Sequence, residues 1–376
     1  MLGIFGIQEK DVFPVCVVAT MSSGKSTFIN SILGEVVLPE RNEACTARAI
    51  VVLNHDKSDK KKAYIVKENG ERGCVEIDNP MVMEKINADD AVKDILVEMK
   101  IPAISSFSKQ LAIIDTPGVN NSEDKRHAER TEDILHQLDR GVIVYLMNAT
   151  QFATNDDALL LSMVSDHVKK HPNLRICFVL NKIDGLDEEK ENIEDFIDTA
   201  RTYIQGFGFQ ESVIYPLSAF AAKILRLKLN DKKLTKMESR HLADIYAEYQ
   251  ATEKNMLRYS GIYQKSSRKY KIGDKDVTEY ELRRAIQNTG IMGVEDQIKE
   301  FMFQAENYSH VLFFDTENYA EWEGIYSKKK KSSNLVNYTG KIQWICRACR
   351  QVNGENKNCL NCGKPNVVCR VVERYQ

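Results

Sequence analysis

Short runs of apolar and β-branched residues alternate with amphipathic helical stretches from Phe13 to about Ala219. This alternation predicts an α/β fold, with a mostly parallel sheet and helices on both faces. The predicted strands are Val15–Ala19, Ala49–Leu53, Ala63–Val66, Leu111–Ile114, Val142–Met147, Arg175–Leu180 and Val213–Pro216. The predicted helices are Lys25–Leu33, Val82–Met99, Ser122–Asp139, Asn155–Lys169 and Glu188–Gln205. Asn69-Gly70, which precedes an alternating run at Cys74–Ile77, predicts a hairpin at one edge of the sheet.

After Ala219 the strand pattern ends, and residues 220–305 show mainly helical spacing. Apolar side chains recur every three or four positions over 234–249, which predicts one amphipathic helix. The polar stretch Ser260–Lys275 is predicted to be a loop. Thr278 and Glu281 form a capping box for a further helix, Gly290 can end it, and a last amphipathic helix follows.

Charge is distributed unevenly along the chain. The 376 residues have a net charge of −2, yet residues 321–376 contain 11 Lys+Arg and only 4 Asp+Glu. A small basic unit therefore follows an acidic body, which favours an anionic partner, although a basic solvated surface is the commoner explanation. We predict a domain over 1–305 with a helical segment at 220–305, a linker at 306–340 and a separate unit at 341–376.

The apolar runs are too short for a membrane span, since none reaches the roughly 18–20 residues that a spanning helix needs. Glu9, Lys10 and Asp11 interrupt the apolar N-terminus, unlike the apolar region of a secretory signal. We therefore predict a cytoplasmic protein.

A phosphate-binding loop is predicted at residues 19–27, Ala-Thr-Met-Ser-Ser-Gly-Lys-Ser-Thr, which follow a predicted strand and open a predicted helix. Backbone N–H groups at such a helix N-terminus surround phosphates, while Lys25 reaches the β and γ oxygens and Ser26 binds Mg²⁺. Ala19 stands where the usual pattern has its first glycine. The residues assigned to this loop are Ser22, Ser23, Gly24, Lys25, Ser26 and Thr27.

Three further motifs follow in order, each at the end of a predicted strand. Asp115-Thr116-Pro117-Gly118 offers a carboxylate to Mg²⁺ and the Gly118 amide to the γ-phosphate. Asn181-Lys182-Ile183-Asp184 offers the Asp184 carboxylate, which the N1–H and N2–H₂ edge of guanine requires. A backbone amide of Ser218-Ala219 can meet guanine O6. Each motif alone can be an ordinary turn. Together, at the edge where open α/β sheets bind ligands, they predict a site for GTP or GDP.

Thr46 is nominated for the switch threonine that closes on Mg²⁺ beside the γ-phosphate. It is the single threonine between the P-loop helix and Leu111, the region from which that residue must come. Lys25, Ser26 and Thr46 are assigned most of the catalysis by positioning and electrostatics.

The segment Ala19–Asn30, the motifs above, Cys45–Ala49 and Thr289-Gly290-Ile291 resemble the GTPase domain of bacterial dynamin-like proteins. The resemblance covers about residues 13–305. It implies an α/β P-loop GTPase domain with added helices, and GTP hydrolysis to GDP and phosphate. It also implies that Ser22 holds a charge-compensating monovalent cation, while Met21 replaces a glutamine near the attacking water.

The resemblance raises two questions about assembly. A homodimer across the nucleotide face is left open. The family's long stalk helices and lipid-binding tip have no room in 376 residues, so membrane contact is also left open without support from the sequence. In the competing interpretation, GTP is a slowly hydrolysed switch ligand and the C-terminal unit recruits a target.

The C-terminal unit contains two CxxC motifs, Cys346/Cys349 and Cys359/Cys362. Each presents two thiolates, and together they predict a tetrahedral Zn²⁺ site with no open position, hence a structural one. Cys369 lies outside the pattern. Trp344 and Asn353 make the unit similar to the Ran-binding-protein type of zinc finger, and a generic zinc ribbon is the alternative.

The predicted partner of this finger is a protein or a single-stranded nucleic acid. The resemblance argues against ubiquitin, because Arg350-Gln351 replaces the Thr-Phe pair of ubiquitin-binding fingers. Trp344 with Arg347, Arg350 and Lys357 could stack on and neutralise a single strand. In the simpler alternative, Trp344 packs on the ligand loops and the basic residues are only solvated.

Overall fold

The computed structural model divides into two compact units, which are described separately. The first comprises Met1–Ser260 and Gln264–Met302, and the second Gly261–Tyr263 and Phe303–Gln376. The structure describes residues 2–5, 7, 11–40, 48–56, 58, 60–104, 109–119, 125–151, 153–186, 192–210, 212–251, 256, 269–306, 311–315, 342–345, 352–353 and 368–373.

A nine-stranded sheet forms the centre of the first unit. Its strands are β1 (Val12–Ala19), β2 (Ile50–Asn54), β3 (Lys62–Lys67), β4 (Arg72–Glu76), β5 (Val92–Met99), β6 (Gln110–Asp115), β7 (Arg140–Asn148), β8 (Asn173–Asn181) and β9 (Ile214–Leu217), in the order β4-β3-β5-β2-β6-β1-β7-β8-β9. The run from β6 through β1, β7 and β8 to β9 is parallel throughout. The parallel strands place their carboxyl ends at one edge, where the predicted nucleotide motifs begin.

Helices cover both faces of this sheet. They are α1 (Lys25–Leu33), α2 (Pro80–Ala88), α3 (Lys125–His136), α4 (Asn155–Lys170), α5 (Ile193–Gln205), α6 (Ala219–Leu229), α7 (Lys236–Gln250), α8 (Glu279–Asn288) and α9 (Ile291–Glu306). Alternate residues of β1 enter two different apolar clusters, Val15 and Val17 in one, Cys16 and Val18 in the other. This alternation is expected of a strand whose two faces are both buried. The predicted α/β architecture is confirmed.

The helix predicted over Val82–Met99 is wrong. The chain there forms α2 and then β5, which pairs with β2 and β3 inside the sheet. Asn79 caps α2 and accepts from the Met81 amide, and the helix ends before Asp89. The run Val92–Met99 is buried at most of its positions, so its apolar residues follow sheet burial rather than one helical face. The hairpin at Asn69-Gly70 is confirmed at the sheet edge.

The elements after β9 match the helical prediction with one correction. The predicted helix over 234–249 is α7, and the capping box of Thr278 and Glu281 opens α8. Within the stretch predicted as a loop, however, β10 (Lys269–Ile272) pairs antiparallel with β11 (Lys275–Thr278). Tyr270 and Ile272 are buried, so alternate positions supply the apolar face that the polar composition hid.

The second unit contains a four-stranded antiparallel sheet. Its strands are β12 (Val311–Asp315), β13 (Ile342–Ile345), β14 (Val352–Asn353) and β15 (Val368–Glu373), in the order β12-β15-β13-β14. Residues 311–315 lie in the predicted linker but pair with β15, so this part of the linker belongs to the sheet. Across the described ranges of both units, no helix is long and apolar enough to cross a membrane.

Candidate nucleotide-binding site

The loop between β1 and α1 curves through two residues with positive φ. Ser22 has φ 61° and Gly24 has φ 85°. A Cβ on Gly24 would lie 2.7 Å from Asn181 Nδ2, so this position needs glycine for both its conformation and its close approach to another loop. Thr20 Oγ1 and Ser23 Oγ lie 2.9 Å apart and hold the turn from inside. The predicted P-loop is therefore a tight turn that opens directly into α1.

A charged cluster lies at the start of α1. Lys25 Nζ donates to Asp115 Oδ1 at 2.9 Å, and Ser26 Oγ lies 3.4 Å from Asp115 Oδ2. The Lys25 and Asp115 side chains are only 11% and 12% exposed. Their ion pair is thus shielded from water, which strengthens it relative to a surface pair. The cluster borders a cavity of about 450 Å³ whose wall includes the whole run from Thr20 to Thr27.

The turn after β6 is fixed to its surroundings by side chains that the sequence pattern did not single out. His127 Nδ1 lies 3.1 Å from the Gly118 carbonyl, and Thr131 Oγ1 donates to the Pro117 carbonyl at 3.1 Å. Both are buried on α3. A Cβ on Gly118 would approach Met21 Cα to 3.2 Å, so this turn packs on the P-loop backbone. A helix residue that holds a distant turn has no local motif, so only the tertiary structure reveals it.

Asn181 joins the P-loop to the loops after β8 and β9. Its Nδ2 donates to the Ser23 carbonyl at 2.8 Å, and its Oδ1 accepts from the Ala219 amide at 3.0 Å. The side chain is 2% exposed. Both ends of one buried amide are therefore satisfied by backbone groups that are distant in sequence, and three loops are fixed relative to one another.

Asp184 lies in a single 3₁₀ turn, Ile183–Gly185, and is exposed. The half-buried Glu248 and the buried Tyr249 of α7 lie on this side of the site. Burial raises the pKa of Glu248, and the negative charge of Asp184 raises it further. Burial also raises the pKa of Tyr249, whose side chain is hydrogen bonded to Ser218. The end of the site at which the guanine base is predicted to bind, called the base end below, therefore contains acidic side chains.

Comparisons with known proteins find similarity to dynamin-like proteins. Residues 15–183 match the sequence profile of the Dynamin family. The chain is 24% identical to dynamin-like protein A of Bacillus subtilis over 196 residues, which are 52% of this chain and 15% of that protein. It is 26% identical to the bacterial dynamin-like protein of Nostoc punctiforme over 200 residues, 50% of this chain and 27% of that protein. Residues 15–183 are thus similar to the dynamin family, and the comparisons support a dynamin-like GTPase.

The chain spans only part of the length of these relatives. The chain spans 15% of the Bacillus protein and 54% of an uncharacterized relative from Caldicellulosiruptor, with which it is 25% identical over 231 residues. A solved structure of an oligomerised bacterial dynamin pair aligns with 88% of this chain and 46% of that one, with 17% identity and a TM-score of 0.44.

GTP or GDP and Mg²⁺ are the ligands expected of a GTPase family. The carboxylate of Asp115 and the hydroxyl of Ser26 are hard oxygen ligands of the kind that Mg²⁺ prefers. Lys25 supplies a positive charge, and the P-loop supplies amides at the N-terminus of α1, where anions are favoured. The side chains at this end of the cavity therefore fit a metal-bound phosphate chain.

Apart from Asn181 and Asp184, which are described above, the predicted site residues fall into three groups in the structure. The nucleotide cavity is lined by the P-loop residues 22–27 and by Asp115, Gly118 and Lys182. Ser218 and Ala219 follow β9, but the Ser218 amide donates to the Thr289 carbonyl and the Ala219 amide to Asn181, so both are already used within the protein. The third group comprises Thr46, Cys346, Cys349, Cys359 and Cys362, which lie outside the described residues. Elsewhere, over the ranges that are described, no group of three or more metal-ligating side chains occurs.

Proposed function

We propose that the chain binds GTP with Mg²⁺ and hydrolyses it to GDP and phosphate. The observation that carries this proposal is the meeting of Lys25, Ser26 and Asp115 at one end of a cavity lined by the P-loop. Phosphoryl transfer needs little covalent chemistry from the protein, because positioning and charge stabilisation supply most of the rate. A shielded lysine beside two oxygen ligands meets both needs.

Each residue has a stated role in this proposal. Lys25 neutralises charge on the β and γ phosphate oxygens, while Ser26, Asp115 and Thr46 hold Mg²⁺, which when bound spreads the negative charge that develops on the phosphates. Thr46 also helps to orient the attacking water. Asp184 accepts from the guanine edge, and Ser22 holds a monovalent cation.

Multiple-turnover hydrolysis of GTP by the full chain tests the proposal. We expect release of phosphate from GTP with Mg²⁺, and loss of that release when EDTA removes the metal. ATP supplied under the same conditions should be a poor substrate, because its C6 amino edge cannot give Asp184 the two donors of guanine. Equal rates with GTP and ATP would contradict the guanine assignment.

A slow GTP-dependent switch is the second candidate function. The observation that favours it is the closeness of Met21 to the turn after β6, since a Cβ on Gly118 would lie 3.2 Å from Met21 Cα. The resemblance implies a polar glutamine near the attacking water at this position, and methionine supplies no such polar group. A rate per molecule that rises steeply with protein concentration indicates an enzyme activated by self-association across the nucleotide face. A slow rate that is independent of concentration indicates a switch. Membrane contact is a further possibility that vesicle sedimentation can test.

We further propose a C-terminal Zn²⁺ finger. Cys346 follows β13 directly, and β13 pairs with β14, joining Trp344 to Asn353. The first CxxC pair lies in sequence between these two paired strands, which supports a site in which each of two turns presents two thiolates. In the full chain we expect about one equivalent of zinc. Cys359→Ser should release it, whereas Cys369→Ser, the matched control outside the pattern, should retain it.

The finger would recruit a protein or a single-stranded nucleic acid. The basic composition of the tail supports the nucleic acid. A single-stranded RNA probe and its duplex form, tested with the full chain at two salt concentrations, separate base stacking from simple charge attraction. If the full chain binds the single-stranded probe and the duplex with equal affinity, and both affinities fall steeply with salt, the result would argue against single-strand recognition.

A further inference from the structure

Asn30 of α1 fixes the chain that leads away from the P-loop helix. Its Oδ1 accepts from the amides of Val37 and Leu38 at 3.0 and 2.9 Å. Its Nδ2 donates to the Leu38 carbonyl at 2.9 Å and to Glu40 Oε1 at 2.8 Å. The side chain is fully buried. Four hydrogen bonds use the whole capacity of one amide, so residues 37–40 are held directly by the P-loop helix.

Glu40 is held from the other side by a buried lysine. Lys223 Nζ of α6 lies 2.6 Å from Glu40 Oε2 and 2.9 Å from Glu238 Oε1 of α7. Lys223 is 4% exposed and Glu238 7%, while Glu40 is 25% exposed and borders the nucleotide cavity. Both carboxylates hold the pKa of Lys223 above its usual value despite the opposing effect of burial. The charged lysine is therefore the stable form, and it locks Glu40 in place.

Arg48 forms a second fixed point on the same cavity wall. Its guanidinium donates to the carbonyls of Ile86 and Asn87 at 3.2 and 3.0 Å and to that of Asp89 at 3.0 Å. These are the carbonyls at the C-terminal end of α2, where the helix dipole attracts a positive charge. Arg48 is 9% exposed, and both Arg48 and Asn87 line the nucleotide cavity.

The two fixed points lie close together in sequence on either side of Thr46. Seven residues separate Glu40 from Arg48. We propose that Glu40 and Arg48 are positioning residues for GTP hydrolysis, anchoring the two ends of the stretch that carries Thr46 to the P-loop helix and to α2. This inference rests on the proposed GTPase function. The anchors act on the transition state because an error of about 1 Å in a positioned group can cost roughly 10²-fold in rate.

The helix α2 thereby becomes part of the hydrolytic apparatus. It lies between β4 and β5, away from every nucleotide motif in sequence. Substitution of Arg48 removes the charged donors of three carbonyls at the end of α2. It does not remove any group that is assigned to contact the nucleotide. A purely structural role would lower the melting temperature without changing kcat in the folded fraction, whereas an anchor changes kcat with little change in KM.

The test compares Glu40→Ala, Glu40→Gln, Arg48→Ala and Arg48→Lys with the parent in the full chain. The matched control is Glu35→Gln. Glu35 also bridges two lysines, Lys61 at 2.6 Å and Lys232 at 3.1 Å, and it lies away from the nucleotide cavity. Melting temperature, GDP affinity, kcat and the affinity of the GDP–fluoroaluminate transition-state analogue are measured for each variant. Glu40→Gln keeps the shape and the hydrogen-bond acceptor, so it guards against a variant that fails to fold.

We expect Glu40→Ala and Arg48→Ala to lower kcat and analogue affinity by about tenfold or more, with GDP affinity within about twofold of the parent. Glu40→Gln and Arg48→Lys should fall between parent and alanine, and Glu35→Gln should equal the parent. Unchanged kcat in a folded Glu40 or Arg48 variant would overturn the proposal, as would equal losses of GDP and analogue affinity. If the parent itself does not hydrolyse GTP, the proposed function fails instead.

Discussion

Asp115 at the phosphate end of the site and Asp184 at the base end lie in opposite electrostatic surroundings. Asp115 is buried and paired with Lys25, while Ser26 approaches its second oxygen. Asp184 is exposed, and the charge of Glu248 acts on the same region. A paired, shielded carboxylate is neutralised inside the protein, whereas neighbouring carboxylates create a negative potential that a ligand with N–H donors can satisfy.

This difference indicates how the two ends contribute to nucleotide binding. The phosphate end holds its charges in one compact cluster of residues from α1 and β6, so removal of one member leaves a charge unbalanced. The base end is built from separate loops held together by Asn181, and its acidic groups are partly open to water. We therefore expect substitutions at the phosphate end to have larger effects than those at the base end.

The largest effect is expected from Lys25→Ala. The variant loses the charge that faces the phosphates and leaves Asp115 with an uncompensated charge at the same place, so GTP affinity should fall by about 10²-fold or more. Guanosine, which carries no phosphate, should bind the variant as it binds the parent. Isothermal titration with both ligands measures the contrast. Parallel losses for guanosine and GTP would show that the two ends are not separate.

A smaller and more selective effect is expected from Asp184→Asn. The amide of asparagine keeps one acceptor oxygen, but its NH₂ group faces one of the two guanine N–H donors. GTP binding should therefore weaken by about 2–3 kcal/mol. The same amide can donate to the C2 carbonyl of xanthine, so XTP should bind the variant better than it binds the parent. Competition of XTP against a fluorescent GDP measures this exchange. Weaker binding of both nucleotides would argue that the substitution acts through folding.

Removal of the link between the ends should have a moderate effect on both. Asn181→Ala leaves the Ser23 carbonyl and the Ala219 amide without their buried partner, which costs about 1–3 kcal/mol of folding free energy. GTP and guanosine should both lose affinity, because the P-loop and the base loops shift relative to each other. Urea unfolding and the same titrations measure the two quantities. A loss confined to one ligand would contradict the linking role.

The sequence predicted the parallel core correctly and singled out the residues that meet at the P-loop, because both depend on local patterns. Val15–Ala19 has the run of a buried strand, and Gly24-Lys25-Ser26 encodes its turn and its chemistry within three residues. It failed at Val82–Met99, because an apolar run that enters the middle of a sheet has no period that separates it from a buried helix. The sequence assigned no individual role to His127, Glu40, Arg48 or Lys223. These residues act through partners that are 9 to 183 positions away in sequence.

The smallest effect is expected from Glu248→Gln, and it tests the acidic character of the base end by pH. The folded protein raises the pKa of Glu248 above its ordinary 4.5, mainly by burial and then by the charge of Asp184. The folded state therefore keeps this proton to a higher pH than the unfolded state, so its stabilising contribution is full below 4.5 and is lost as the pH rises through the folded pKa. Glutamine does not titrate, so the melting temperature of the variant minus that of the parent should increase from pH 4.5 upward and then level off. Glu129→Gln, at an exposed position of α3, is the matched control and should show no such rise. A difference for Glu248→Gln that is independent of pH would mean that Asp184 and Glu248 do not share one electrostatic site.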